Sequence, residues 1–531
     1  MDEERQAVER AAEQERGLTR RDVVKAGAAG ALLIGSGGLF RAGDALGAVA
    51  HGVGRTKTGG VLHVGIAGGG PTDNFDAALI NGPSATTRGQ VFYETLVWLD
   101  GKFKLHNWLV EELTPNATAT NWTARLRPGL EFHDGKTVTP EDVLFSMARL
   151  MNPKTGATAA AQLGALDLRA SKKLDKRTVQ FALKRPYSFF DEVLSDICYI
   201  IPVGYDPKKP VSTGPWKMVS YSPGRQTVLE PFANYWGKKP VLDQLVLVEL
   251  PDDSARVNAM LAGQVDVINQ VPYAQAAALK GNSAMKLVIS PTGAWNPITM
   301  RVDVAPFNDV RVRQAIRVSM DRGQAIETAL FGQGAPGYDY YGRFDHCYDA
   351  AFKRQQNVEQ ARSLLKAAGK QNLKVELVTT PIAAGIVEAC QVLAQNAKAA
   401  GIDISLRKVD ISTYFSQYGK WPFAIDYWVG LPYLVTASIN DGPGANVVNT
   451  THFNDPQFNK LFDLAARMLD KEKRCQIVHQ MEKIQFDRGG NIIWSFQNTV
   501  DAYSTKVTGY GTVDETGWGL DRCRLDKLSF V

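Results

Sequence analysis

The stretch of residues 373–409, LKVELVTTPIAAGIVEACQVLAQNAKAAGIDISLRKV, decides the fold class of this chain. Its first five residues alternate apolar and charged side chains, which is the period of a half-buried strand. Apolar residues from Ile386 to Ala397 then recur at helical spacing, and Gly401 follows them. Residues 402–407 alternate again. Strand, helix and strand joined by short links predict a βαβ unit, which is the building block of parallel sheets.

The sequence on both sides of this unit predicts more helices and strands of the same kind. Helices are expected over residues 308–331 and 357–368, and a first strand over residues 61–66. Thr139 followed by Pro140 and two acidic residues is typical of a helix N-terminus. A further helix from about Ser254 precedes a short strand at 265–268. The chain is therefore predicted to be an α/β protein.

Length and composition limit the class of protein. A chain of 531 residues has room for two or three domains, and 44% hydrophobic residues allow a large core. The formal net charge is +5, and positive and negative residues are interspersed. Because no long basic run occurs, we expect no nucleic-acid partner.

The N-terminal region contains the parts of an export signal. Arg20 and Arg21 precede a weakly apolar stretch over residues 26–40, and an Ala-x-Ala sequence ends at Ala50. The apolar stretch is 15 residues long, whereas a membrane-spanning helix needs about 20. These features predict a twin-arginine signal peptide over residues 1–50. An ordinary amphipathic helix is the alternative.

The five cysteines are widely spread, and no C-x-x-C pattern occurs. Buried free thiols are the expected state, although one disulfide remains open in an oxidising compartment. The segment Asp345-His346-Cys347-Tyr348-Asp349 contains side chains that could bind a transition metal. A polar loop gives the same string, so we expect neither a metal site nor a cofactor.

Sequence patterns of common catalytic sites are missing. The chain has no H-E-x-x-H, no Walker A loop and no G-x-S-x-G elbow. Catalytic residues can also assemble from distant parts of a chain, so missing patterns do not exclude an enzyme. A secreted hydrolase and an interaction protein that signals through a membrane partner remain the alternatives to a binding protein.

Segments spread over residues 61–531 resemble one family, the large solute-binding proteins of bacterial ABC importers. This family includes oligopeptide-, dipeptide- and nickel-binding proteins. The segments that carry the resemblance are YETLV (93–97), LRPGLEFHDGK (126–136) with TPEDV (139–143), STGPWK (212–217) with PGR (223–225) and NYW (234–236), residues 253–266, PFNDVRVRQA (306–315) with DR (321–322), and ARSLLKAAG (361–369). Arg311 and Arg313 in these segments are expected to pair with carboxylates at a helix start.

The resemblance implies the fold of a two-lobed periplasmic binding protein, type II and similar to cluster C, with two hinge crossovers. After the signal peptide, an N-terminal lobe would span residues 51–290, with an inserted subdomain at about 97–210. A second α/β lobe would span residues 291–494. Residues 495–531 would return to complete the first lobe. The crossovers would lie near residues 290–302 and 491–500.

The resemblance also implies function and partners. The chain is expected to be a monomer that carries a small molecule or short peptide to the permease and ATPase subunits of an inner-membrane ABC importer, and not an enzyme. The export signal predicts a periplasmic location. No cysteine lies near the signal, so we expect no lipid anchor.

Ligand pockets have aromatic walls and a few fixed polar groups, which selects candidate site residues at the predicted lobe edges. The candidates for ligand binding are Asn74, Phe75, Trp295, Asp426, Trp428 and Tyr433. Peptide binders of the family often carry an aspartate shortly after a tryptophan. Here Leu431 stands at that place, so an ordinary peptide ligand is in doubt, and Asp426 is the nearest acid.

Overall fold

A computed structural model describes residues 57–531, except residues 81, 446–447 and 512. The proposed signal residues Arg20, Arg21 and Ala50 lie outside the described residues, so the export signal stays a prediction. None of the described helices is both long enough and apolar enough to cross a membrane.

The described strands follow the chain in this order: β1 (Val61–Ile66), β2 (Val97–Leu99), β3 (Leu105–Asn107), β4 (Val110–Pro115), β5 (Asn121–Leu126), β6 (Leu166–Lys173), β7 (Thr178–Leu183), β8 (Trp216–Ser222), β9 (Gln226–Pro231), β10 (Gln244–Glu249), β11 (Val267–Ile268), β12 (Met285–Trp295), β13 (Ile298–Met300), β14 (Gly334–Pro336), β15 (Leu373–Thr379), β16 (Ile402–Lys408), β17 (Phe423–Ile425), β18 (Asn491–Ile492), β19 (Ser495–Ser504), β20 (Val507–Thr508) and β21 (Ser529–Phe530).

The described α-helices are α1 (Pro83–Phe92), α2 (Pro140–Met151), α3 (Phe190–Val193), α4 (Asp253–Leu261), α5 (Tyr273–Leu279), α6 (Val310–Ser319), α7 (Arg322–Leu330), α8 (Val358–Ala367), α9 (Ile386–Lys398), α10 (Ile411–Ser416), α11 (Tyr433–Asn440), α12 (Pro456–Arg467) and α13 (Lys471–Arg488). Two 3-10 turns (Thr158–Ala161 and Leu525–Lys527) and a left-handed turn (Leu520–Cys523) complete the set.

The largest sheet is mixed, with the strand order β12-β19-β11-β1-β10-β9-β8 and β14 paired to β19. β1 lies inside it, parallel to both β10 and β11. Leu62, Val64 and Ile66 of β1 are fully buried, as expected for a strand inside a sheet that is covered by other elements. The predicted first strand over residues 61–66 is confirmed.

The βαβ unit predicted from residues 373–409 is present. β15 and β16 pair in parallel with Leu373 opposite Ile402, and α9 connects them. Ala389, Cys390 and Leu393 form the buried face of α9, which is the helical spacing that the sequence showed. Local periodicity was therefore sufficient to predict this unit.

The capping signals around Thr139 are also confirmed. Thr139 and Asp142 form a capping box at the start of α2, and Pro140 is the first residue of the helix. Residues 308–331 were predicted as one helix, but they form two helices. The chain is extended at Met320, and the Asp321 carboxylate accepts a hydrogen bond from the amide of Gln324 and starts a new helix, so α6 and α7 are separate.

Two further expectations need correction. Arg311 pairs with Asp309 at 2.6 Å as expected, but Arg313 donates to the backbone carbonyls of Phe307 and Gly489 instead of a carboxylate. Cys347 and Cys475 form a disulfide across 128 residues, so the default expectation of free thiols is wrong for this pair and the single disulfide left open by the sequence is present. Cys198, Cys390 and Cys523 are free and buried.

Two neighbouring chain segments connect the large sheet to a second, three-stranded sheet with the order β17-β13-β18. β12 pairs antiparallel with β19 from Met285 opposite Ser504 to Trp295 opposite Phe496. Two residues separate β12 from β13, and two residues separate β18 from β19. The chain thus passes between the two sheets twice at nearly the same place, and this place holds the candidate site.

Candidate functional site

Trp295 and Trp428 meet where β12 ends. Their backbones exchange two hydrogen bonds, from the Trp295 amide to the Trp428 carbonyl at 3.0 Å and from the Trp428 amide to the Trp295 carbonyl at 2.9 Å. The two indoles are stacked, with ring centroids 5.6 Å apart and an interplanar angle of 10°. Trp295 is buried, whereas Trp428 is partly exposed. The backbone pairing fixes the position of Trp428, and the stacking leaves the other face of its ring partly exposed.

Two tyrosines continue this arrangement into the protein. Tyr341 stacks on Trp295 at 5.2 Å, and Tyr433 packs against Tyr341 at 5.1 Å. We call Trp428, Trp295, Tyr341 and Tyr433 the aromatic column. Trp428 is its one member with substantial exposure.

Polar groups beneath the aromatic column hold its tyrosines in place. Tyr341 donates its hydroxyl proton to Asp441 at 2.9 Å, and Tyr433 donates to the side-chain oxygen of Gln485 at 2.9 Å. The Gln485 amide nitrogen in turn donates to Asp441 at 2.6 Å. Burial raises the pKa of Asp441 to about 6. Because both hydroxyls have partners, the buried tyrosines form a fixed support behind Trp428.

Asp426 supports the exposed end of the aromatic column. Its carboxylate accepts from the Trp428 indole at 3.2 Å, the Tyr418 hydroxyl at 3.0 Å and the Thr450 hydroxyl at 3.2 Å. Burial raises its pKa to about 6. No ion pair joins Asp426 to a cation among the described residues. The groups that donate to Asp426 are all neutral, and one of them is the indole of Trp428. Asp426 therefore helps to orient Trp428.

Arg343 lies on the other side of the same crossover. Its guanidinium lies over the rings of Phe344 and Phe496, 5.0 and 5.6 Å from the ring centroids, and Phe496 is the residue that pairs with Trp295. It makes no hydrogen bond and no ion pair with any residue in the described ranges. Partial burial lowers its pKa. Within the described residues this half-buried cation has aromatic contacts and an electrostatic attraction to Glu515 but no hydrogen bond, so its N–H donors are able to bind an anionic group.

Gly293 and Gly430 allow the crossover and the segments that carry Arg343 and Trp428 to approach each other closely. A Cβ added at Gly293 would stand 2.8 Å from the Arg343 carbonyl oxygen and 3.3 Å from the Gly430 Cα. The Gly293 and Gly430 amides donate to the carbonyls of Glu515 and Thr516, both at 2.7 Å. The crossover, the segment that carries Arg343 and the segment after Trp428 therefore share one contact region.

The sequence candidates divide into two groups in the structure. Trp295, Asp426, Trp428 and Tyr433 come together at this place. Asn74 and Phe75 belong to another region: Phe75 is buried against Phe92, Tyr93 and Tyr221, and Asn74 is exposed. Leu431, at the place where peptide binders often have an acid, is buried and apolar.

Sequence analysis missed two residues of this site, Arg343 and Tyr341. The run Tyr340-Tyr341-Gly342-Arg343-Phe344 gave a signal that could have found them, because an arginine among aromatic residues is the combination that forms cation–π contacts. That Arg343 makes no hydrogen bond or ion pair within the described part of the chain is a property of the folded structure and is not visible in the sequence.

Residues 104–440 match the family model of bacterial extracellular solute-binding proteins, family 5. The chain belongs to this family. It is 25% identical over 489 residues to the glutathione-binding protein GsiB of Pectobacterium atrosepticum, which is 86% of this chain and 92% of that protein. The Escherichia coli K12 protein of the same name is 24% identical over 480 residues, 85% of this chain and 92% of that protein.

Solved structures show the same fold. The binding protein AgaA from A. tumefaciens R10, in complex with agropinic acid, superposes with a TM-score of 0.78 and 25% identity over 89% of this chain and 99% of that chain. DppA from Helicobacter pylori, in complex with the peptide STSA, superposes with a TM-score of 0.77 and 21% identity. The match covers 89% of this chain and 98% of that chain. The chain therefore has the two-lobed fold of periplasmic binding proteins and is a solute-binding protein of the ABC-importer class.

Proposed function

We propose that this protein captures a small acidic, peptide-like solute against Trp428 and Arg343 and delivers it unchanged to the permease and ATPase subunits of an inner-membrane ABC importer. It acts in the periplasm as a monomer without a lipid anchor. The observation that carries the proposal is the half-buried guanidinium of Arg343, which makes no hydrogen bond or ion pair among the described residues and lies over Phe496, the strand partner of Trp295.

The chemistry of the two sides is complementary. Trp428 offers a partly exposed ring face, which suits the apolar part of a small ligand. Arg343 offers up to two parallel N–H donors to a carboxylate, and its partial burial strengthens such a pair relative to one in water. Asp426 and Gln485 lie behind the aromatic residues and act as positioning residues. The proposed site therefore has one apolar wall and one anion-binding group.

The relatives support an acidic ligand. GsiB is named for glutathione, and AgaA was solved with agropinic acid, and both of these compounds are acidic solutes. An aspartate after Trp428 would favour the amino terminus of an ordinary peptide, and Leu431 replaces it in this chain. The chemistry favours a modified peptide or a sugar–amino acid conjugate over a simple peptide.

The pairing of β12 with β19 supports hinges near residues 290–302 and 491–500. On this basis the N-terminal lobe spans residues 51–290 with its subdomain at about 97–210, the second lobe spans 291–494, and residues 495–531 return to the first lobe. Rotation about two adjacent strands would open and close the cleft beside Trp428, as in hinge closure around ligands.

Thermal unfolding in the presence of glutathione, agropinic acid and uncharged amide analogues tests this function. Binding to the folded state alone should add about 2.7 kcal/mol of stability when free ligand exceeds Kd about a hundredfold. An acidic probe should therefore raise the melting temperature, and mass spectrometry should recover it intact. Stabilisation by neutral or cationic probes alone would contradict the acidic ligand class. Conversion of the probe to a product would favour the hydrolase alternative.

A further inference from the structure

One cluster of metal-ligating side chains lies near the aromatic column but is not part of it. The sulfur of Cys347 is bonded to Cys475, and the Nε2 atom of His346 lies 3.4 Å from the Cys347 sulfur. The two sulfurs and one ring nitrogen of His346 all lie within 4.8 Å of one another. Both cysteines are buried, while the His346 side chain is 46% exposed. The cluster is therefore closed on the sulfur side and open at the imidazole.

A carboxylate lies beside the imidazole of this cluster. The Oδ1 atom of Asp345 lies 3.4 Å from Nδ1 of His346 and accepts from the Cys347 amide at 2.7 Å. Its other oxygen accepts from the Tyr433 amide at 2.8 Å, at the start of α11. Asp345 is thus fixed by two backbone groups. A carboxylate behind the second ring nitrogen is the usual outer partner of a metal-bound histidine.

We propose that reduction of the Cys347–Cys475 disulfide converts this cluster into a Zn²⁺ site with His346, Cys347 and Cys475 as ligands. In the first step a dithiol reductant is oxidised to its own disulfide, and the protein disulfide takes up two electrons and two protons to give two thiols. In the second step both thiols lose their protons to water as Zn²⁺ binds the two thiolates and the imidazole.

The ligand set selects the type of metal. Two thiolates and one imidazole suit tetrahedral Zn²⁺, and carboxylate-preferring ions such as Mg²⁺ and Ca²⁺ should bind poorly. Three protein ligands leave a fourth position for water, which the exposed side of His346 makes accessible. The folded frame keeps the cysteines together after reduction, because Cys475 belongs to α13 and Asp345 holds the amides of Cys347 and Tyr433.

The experiment compares the oxidised protein with protein reduced by a phosphine and desalted without oxygen. Each form is incubated with Zn²⁺, and retained metal is measured by mass spectrometry of the folded protein. Co²⁺ is then used as a spectroscopic probe, because thiolate ligation gives a sulfur-to-cobalt charge-transfer band. Circular dichroism of the same samples reports whether the reduced chain is folded.

We expect one Zn²⁺ per chain in the reduced form and none in the oxidised form. His346→Ala and Cys475→Ser should weaken binding by about tenfold or more, the range found even for outer-shell changes. Two variants serve as matched controls. His452 also lies beside an aspartate, with its Nδ1 3.2 Å from Asp303, and Cys390 is a buried free thiol. His452→Ala and Cys390→Ser should bind Zn²⁺ as the wild type does.

Three results would overturn the proposal. They are equal Zn²⁺ retention in both redox forms, a cobalt complex without the charge-transfer band, and unaltered binding in His346→Ala. Unfolding of the chain on reduction would overturn it as well, since the site needs the folded frame. None of these results depends on the solute that the importer carries.

Discussion

The indole of Trp428 lies parallel to that of Trp295, 5.6 Å away, and the two residues hold each other by a reciprocal pair of backbone hydrogen bonds. Trp295 is the last residue of β12, where the chain leaves the large sheet. Trp428 follows β17 of the smaller sheet. The ring that faces the proposed ligand is therefore fixed directly to the crossover, so the proposed ligand contact and the proposed lobe movement would share one structural element.

Trp428→Ala should weaken ligand binding by about 1–3 kcal/mol, the usual cost of losing a stacked aromatic contact. The fold should be retained, because Trp428 is the partly exposed end of the aromatic column. Titration calorimetry with the ligand found by thermal unfolding measures the change. Trp421→Ala is the control, since Trp421 is also partly buried but packs against Tyr414. Unchanged affinity together with lost stability would assign Trp428 to the core.

Arg343→Ala should lower the affinity for an acidic ligand by about 1.5–3 kcal/mol, the range for hydrogen bonds to a charged group. Arg343→Lys should retain part of this affinity, because lysine keeps the charge but loses the planar pair of donors. The control is Arg407→Ala, because Arg407 lies over Trp421 and pairs with Glu376 on the surface. Equal losses for the acidic ligand and its neutral amide would show that Arg343 does not bind the carboxylate.

Asp426→Asn should change how stability depends on pH. The folded-state pKa of about 6 lies above the ordinary aspartate value, so the folded chain holds this proton more tightly than the unfolded chain does. The stability from this group is complete below pH of about 4 and is lost as pH rises through about 6. The wild type should therefore lose up to roughly 3 kcal/mol relative to Asp426→Asn between these values.

Urea unfolding at several pH values measures this difference. Asp309→Asn is the control with the opposite sign, because Arg311 lowers the pKa of Asp309. The stability from Asp309 is present above the ordinary aspartate pKa and is lost as pH falls below it. Parallel pH curves for the wild type and Asp426→Asn would contradict the raised pKa of Asp426.

Replacement of Arg20 and Arg21 by lysine should keep the precursor in the cytoplasm, because the predicted signal depends on the twin arginines. Cell fractionation and immunoblotting of the mature form measure export. A variant with Arg10→Lys and Arg16→Lys, upstream of the pair, should be exported normally. Normal export of the Arg20 and Arg21 variant would show that another pathway is used.

The elements that the sequence predicted depend on neighbouring residues. Alternation in β1, β15 and β16, the apolar spacing of α9 and the cap at Thr139 are all local patterns, and each is present. The break at Asp321 is also local, but an apolar stripe that continues through both helices concealed it. Local periodicity does not report a capping carboxylate that starts a new helix inside such a stripe.

The properties that the sequence did not predict depend on distant residues. Cys347 and Cys475 are 128 positions apart. The chain has an odd number of widely spread cysteines, and their spacing alone does not show which two form a disulfide. Arg343 combines partial burial with the lack of a hydrogen bond or ion pair to any described residue, and only the folded structure shows this combination. Phe75 and Trp295 are both aromatic residues at predicted lobe edges, so the sequence does not distinguish them as site candidates. Only the folded chain shows that they lie in different regions.

Native mass spectrometry of the mature protein, freshly purified from its own cells, tests the central claim most directly. We predict one small acidic molecule bound per chain, released unchanged in mass after prolonged incubation. Trp428→Ala and Arg343→Ala protein prepared in the same way should have lost most of it. Full retention of the molecule by both variants, or its conversion to a product during incubation, would contradict the account.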